Sequence, residues 1–154
     1  MDEEKQKTIL IVDDQEDDQG VLSWLLGRVG VINPIVSLRD GHEALRYLNG
    51  ETPYADSKRF PFPAALFLDL QMPVMNGWQV LDWIHSVGLK QNMRIFVYSQ
   101  PKNVGEVQKL YTLGADSFLR KPVTEADLAN LIRNFPQPWE LKSETMLANP
   151  VAAG

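Results

Sequence analysis

Short apolar runs that end in polar residues alternate along this chain with segments whose apolar positions recur every three or four residues. Residues 8–12 are β-branched or aliphatic, the pattern of a strand buried on both faces, and they lead into Asp13 and Asp14. Asp17 and Asp18 offer an N-cap and a negative first turn to a helix carrying Val21, Leu22, Leu25, Leu26 and Val29, which Gly30 stops. Residues 33–38 predict a second strand and 41–48 a short helix with Ala44, Leu45 and Leu48 on its apolar face. The rhythm then breaks over 50–63, a proline-rich and charged stretch expected to be a loop. Residues 64–69 predict a third buried strand, ending in Asp69, and a turn with Pro73 and Gly77 precedes a helix over 78–87. A fourth strand over 94–98 ends at Ser99, and a helix over 103–113 is closed by Gly114. A fifth strand over 116–119 is followed by Lys121-Pro122, and Thr124 caps a last helix to about Phe135.

Five strands alternating with five helices imply an α/β fold: a parallel sheet covered by helices on both faces. The expected domain spans 8–135. Residues 136–154 read as a tail with no output domain, in which Trp139 and Leu141 are candidates to dock back.

In an open sheet of this kind, ligands bind at the carboxyl ends of the strands. Asp13, Asp14, Asp69, Ser99 and Lys121 are all expected there, brought from four separated segments. Three carboxylates that close repel one another, which a hard divalent cation with oxygen ligands relieves; Mg²⁺ fits because it takes few carboxylates and binds phosphate oxygens. A carboxylate beside such an ion can attack a phosphoryl group, with a lysine ammonium and a hydroxyl to neutralise its oxygens. Taken singly, each feature has a plainer reading. The acid run 13–18 fits a solvated helix start, Asp69 a buried partner for Lys121, Ser99 a loop hydroxyl. Met72, Met75 and Phe118 fit core filler, and His42 and His85 ordinary surface positions. What separates the readings is the shared location of the acids, the hydroxyl and the lysine.

Composition narrows the partners. A formal net charge of −5 with a pI near 5.0 argues against a nucleic-acid surface. The absence of cysteine excludes disulfides, zinc–thiolate sites and thiol nucleophiles. The charged residues 1–7 lack the apolar stretch of a signal peptide, and no run approaches the ~18 apolar residues of a membrane span, so a cytoplasmic protein without membrane contact is expected.

The stretches ILIVDD (9–14), LFLDLQMP (66–73) with Asn76-Gly77, VYS (97–99) and Lys121-Pro122 resemble the receiver domains of two-component response regulators. The separations of 30 between Asp69 and Ser99 and 22 between Ser99 and Lys121 are similar to those of the chemotaxis regulators. The resemblance implies a doubly wound, flavodoxin-like sheet in the order 2-1-3-4-5. It makes Asp69 the phosphoacceptor, Asp13, Asp14, Asp69 and the carbonyl of Gln71 the Mg²⁺ site, and Ser99 the switch hydroxyl. Lys121 resembles the phosphate-binding lysine, in the family followed by a cis proline, and Phe118 the rotating aromatic. The implied donor is a histidine kinase or a histidine phosphotransfer protein, and the implied output a protein contact or a homodimer. The receiver would catalyse its own phosphorylation and dephosphorylation rather than act as an enzyme on other substrates. The 55 residues from Asp14 to Asp69 exceed the length in the smallest members, and the extra lies in the loop 50–63, which resembles that of regulators paired with phytochrome-type kinases. Pro101 also departs from the usual pattern. Two other readings are a pseudo-receiver that only binds partners, against which the complete acid–serine–lysine set stands, and a haloacid-dehalogenase-like phosphatase, which would want an acid where Gln71 stands. A flavodoxin-like nucleotide binder would want a glycine-rich first loop.

Overall fold

A computed structural model describes residues 7–100 and 103–142, with only the backbone of 91 and 92. Pro101 and Pro150 lie outside the described residues. The elements run β1 (Ile9–Val12), α1 (Glu16–Arg28), β2 (Ile35–Leu38), α2 (Gly41–Leu48), β3 (Ala65–Leu68), α3 (Gly77–Val87), a 3₁₀ turn (Leu89–Asn92), β4 (Arg94–Ser99), α4 (Val104–Thr112), β5 (Ser117–Arg120) and α5 (Glu125–Asn134). The five strands are parallel in the order β2-β1-β3-β4-β5. Among the described residues no helix is long and apolar enough to cross a membrane.

The sheet separates two cores because successive side chains in a strand point to opposite faces. Leu10, Val12, Leu66, Leu68, Ile95 and Val97 pack with α2, α3 and Leu110 of α4. Ile9, Ile11, Phe67, Phe96 and Tyr98 pack with α1 and α5 on the other side. Every residue of β1 and β3 is buried, as the unbroken apolar runs predict for central parallel strands.

Most differences from the sequence expectation are at element ends. β2 begins at Ile35, not at residue 33. Asn33 is spent elsewhere: its amide donates to the carbonyls of Lys7 (2.6 Å) and Pro138 (2.8 Å). Asp17 and Asp18 do not cap α1; its N-cap is Gln15, without a side-chain cap bond, and both acids fall inside the first turn. Asn76, not foreseen, caps α3 in a reciprocal capping box with Gln79. Gly77 is the first residue of that helix rather than part of the turn, and an added Cβ would lie 2.2 Å from the Asp69 carbonyl oxygen. Only glycine lets α3 start this close to β3.

The segment after α5 docks, as Trp139 and Leu141 suggested. The Trp139 ring stacks on Phe96 (5.7 Å, 10°), its Nε1 donates to the Phe135 carbonyl, and Leu141 bridges Val31. The loop 50–63 folds back on α2. Tyr54 and Phe60 pack edge-on (5.1 Å) and both meet Tyr47, whose hydroxyl donates to the Pro61 carbonyl at 2.8 Å. Phe62 stays exposed. His42 and His85 are exposed and Met72 is buried, as expected.

Candidate functional site

The carboxyl ends of β1, β3, β4 and β5 line an open cleft of about 540 Å³ containing Asp14, Asp69, Gln71, Ser99 and Lys121. Asp13, Asp14 and Asp69 each bring a carboxylate oxygen within 4.8 Å of the other two. Asp13 and Asp69 are almost wholly buried, at 0% and 3% exposure, so this is not a solvated acid run.

Lys121 holds the acids together. Its Nζ lies 2.8 Å from Asp18 Oδ2, 3.0 Å from Asp13 Oδ2 and 3.6 Å from Asp69 Oδ1. The lysine is positioned by backbone: its N–H donates to the Ser99 carbonyl (3.0 Å), Gln100 Nε2 donates to its carbonyl (2.7 Å), and its bond to Pro122 is cis, as the resemblance implied. Burial alone would pull its pKa down; hydrogen bonds to Asp18 and Asp13 and the charge of Asp69 outweigh this and hold it above the ordinary lysine value.

Asp69 shows the cost of this packing. Burial pushes its pKa up, Lys121 pulls it down and Asp13 pushes it up again, leaving it at about 6 against the ordinary 3.8. Ser99 adds a small downward pull, although its Oγ, buried in the cleft, makes no full hydrogen bond. Asp14 Oδ1 is likewise buried without a partner. Two orphaned oxygens beside three crowded carboxylates are what a site built for an added cation and an added oxyanion should show, since buried polar atoms otherwise find partners. The donors are all oxygens, which suits a hard divalent ion.

The predicted residues are thus brought together, with one exception. Phe118 lies on β5, half-buried against the α2–α4 core and outside the cleft lining. Sequence reasoning passed over three residues. Asp18, read only as part of the helix start, sits in the first turn of α1 and binds Lys121. Gln19 is buried and ties the Asp13 carbonyl (2.8 Å) to the Leu38 carbonyl (2.7 Å), fixing the β1 exit. Tyr98 donates its hydroxyl to Asp13 Oδ2 at 2.7 Å. A tyrosine at the rim end of a buried strand was the available signal, because a buried phenol must find an acceptor.

A five-stranded, doubly wound sheet with an acid triad, a serine and a lysine on one rim defines the class as a receiver-type α/β domain. The response regulator receiver domain model matches residues 9–133, and the chain belongs to that family. It is a phosphoacceptor response regulator of two-component signalling. It is similar to the response regulator Rcp1 of Synechocystis, at 26% identity over 86% of this chain and 88% of that one. The manganese-bound structure of Rcp1 superposes with a TM-score of 0.70 at 27% identity, covering 89% of this chain and 99% of that one. The bacteriophytochrome response regulator AtBRR gives 0.76 at 27% identity, covering 92% of this chain and 100% of its own. The phosphorylated cyanobacterial phytochrome response regulator RcpA gives 0.70 at 28%, covering 90% and 99%.

Proposed function

We propose that Asp69 is the phosphoacceptor and that Asp13, Asp14, Asp69 and the Gln71 backbone carbonyl hold Mg²⁺ beside it. The observation that carries this reading is the pairing of a buried, unpartnered Ser99 hydroxyl with Lys121 across the cleft from Asp69. When bound, Mg²⁺ supplies positive charge that offsets the mutual repulsion of the carboxylates and the charge of the phosphoryl oxygens.

The chain's own residues do the rest. An Asp69 carboxylate oxygen attacks the phosphorus of a phosphohistidine; the O–P bond forms as the P–N bond breaks and the imidazole leaves. Lys121, 3.6 Å from Asp69, turns its ammonium from the acids to the phosphoryl oxygens. Ser99 Oγ donates to another of those oxygens. Moving inward, Ser99 leaves room for Phe118, on the neighbouring strand β5, and this alters the α4–β5–α5 face read by a partner or a second copy of the chain. The same site then lets water hydrolyse the acyl phosphate. The donor we assign is a histidine kinase of the phytochrome type or a histidine phosphotransfer protein, because the bacteriophytochrome response regulator AtBRR and the phytochrome response regulator RcpA are among the proteins of similar structure. The receiver unit we assign spans 8–135.

The test is intact-mass measurement after incubation with acetyl phosphate and Mg²⁺. The wild type should gain one acid-stable, hydroxylamine-labile phosphoryl group and Asp69→Asn none. An undiminished gain in Asp69→Asn would overturn the assignment.

A further inference from the structure

The two acids at the end of β1 are not equivalent. Asp14 keeps a buried oxygen without a partner. Asp13 has both oxygens engaged: Oδ1 accepts the Gln15 N–H at 2.9 Å, and Oδ2 accepts from Lys121 Nζ at 3.0 Å and from the Tyr98 hydroxyl at 2.7 Å. Of these three donors, Lys121 is the one that leaves when a phosphoryl group arrives. Tyr98 cannot follow it. Its ring is 1% exposed, meets Phe67 edge-on at 6.3 Å and lies under Lys121 Nζ at 4.7 Å from the ring centre.

We propose that Tyr98 is a positioning residue for the cation site, its hydroxyl holding the Asp13 carboxylate in ligating orientation whether or not Lys121 is present. The proposal rests on the reading of Asp13, Asp14 and Asp69 as that site. The physics is that of outer-shell donors on metal-binding carboxylates, which fix the orientation of the ligand and whose loss costs metal affinity. Tyr98 acts through Asp13, the acid to which its hydroxyl is bonded.

The experiment is a double-mutant cycle read by calorimetric titration with Mg²⁺ alone. Tyr98→Phe removes one oxygen and leaves the ring packing, so it should weaken Mg²⁺ binding about tenfold. In an Asp13→Asn background the same substitution should change affinity by less than about twofold, because the group it acts through is already altered. Wild-type Mg²⁺ binding with unaltered affinity in Tyr98→Phe would overturn the proposal alone, as would an equal loss in both backgrounds. No Mg²⁺ binding by the wild type would overturn the functional reading and this one with it. A second measurement needs no substitution that removes the hydroxyl. With 3-fluorotyrosine at position 98, the ¹⁹F resonance should shift on Mg²⁺ addition and stay fixed in Asp13→Asn. A resonance that stays fixed in the otherwise wild-type protein while Mg²⁺ binds would also overturn the proposal.

Discussion

Neutralising Asp69 should stabilise the metal-free protein. The groups around its carboxylate are Asp13 and Asp14 at the end of β1, Asp18 on α1, Tyr98 and Ser99 on β4, and Lys121 after β5. One ammonium serves three acids, and burial adds to the repulsion. The folded-state pKa of about 6 against an ordinary 3.8 corresponds to about 3 kcal/mol of destabilisation once Asp69 is ionised. With Asp69 only 3% exposed, solvent screening removes little of this. The sign follows from proton binding. Between pH 4 and 6 the folded state holds a proton on Asp69 that the unfolded state has released, so stability from this group is complete below about 4 and lost as the pH rises through about 6. Asp69→Asn should therefore be more stable than wild type by about 2–3 kcal/mol at pH 8 in chelator, or roughly 5–10 °C in melting temperature for a chain of this size. The gain should vanish near pH 4, where both chains are neutral at this position. Urea or thermal melts at the two pH values decide it. Equal stabilities at pH 8, or a gain undiminished at pH 4, would refute the argument that repulsion and burial set the stability of this site.

Other perturbations have comparably direct readouts. Millimolar Mg²⁺ should raise the melting temperature of wild type, since ligand binding to the native state adds stability, and the rise should shrink in Asp14→Ala, whose unpartnered oxygen is lost; scanning calorimetry of both checks it. Gly77→Ala should cost about 1–3 kcal/mol in urea melts and slow phosphorylation by acetyl phosphate, because the new methyl group meets the Asp69 carbonyl at 2.2 Å. Phe60→Ala should cost about 2 kcal/mol by opening the aromatic trio with Tyr47 and Tyr54, yet leave the phosphorylation rate by a small donor unchanged. Val74, a β-branched residue at φ 66 and largely exposed, is strained; Val74→Asn should raise stability by about 1 kcal/mol.

The strands and the site residues were legible because their signals are short and local; the order of the strands in the sheet came from the family resemblance. An apolar run that stops at a polar residue marks both a buried strand and its rim residue, and this pattern places Asp13, Asp14, Asp69 and Ser99 on the rim. Hydrogen-bond partners chosen across the fold were not legible. Nothing near Asn33 in the chain announces Lys7 and Pro138 as its partners, and nothing near Tyr98 names Asp13, 85 residues away. The cap of α1 was misplaced for a related reason: acids favour both an N-cap and a first turn, and here Lys121 draws Asp18 inward from the turn. The loop 50–63 was legible as a loop from its prolines and charges, but the closing of two of its three aromatics over Tyr47 was not, a contact that only the path of the chain reveals.

The docking of Trp139 bears on how this receiver can be transplanted. The family match stops at residue 133, but the indole that fills the sheet's α1–α5 side arrives six residues later, and the backbone bonds of Glu140 to Ile32 and of Lys142 to Gly30 close the seam. A chimaera spliced at the family boundary would carry a complete phosphorylation rim on a body with an open slot beneath Phe67 and Phe96. A junction placed after residue 142 keeps the indole with its own strands, so the portable module is longer than the one by which the family is recognised.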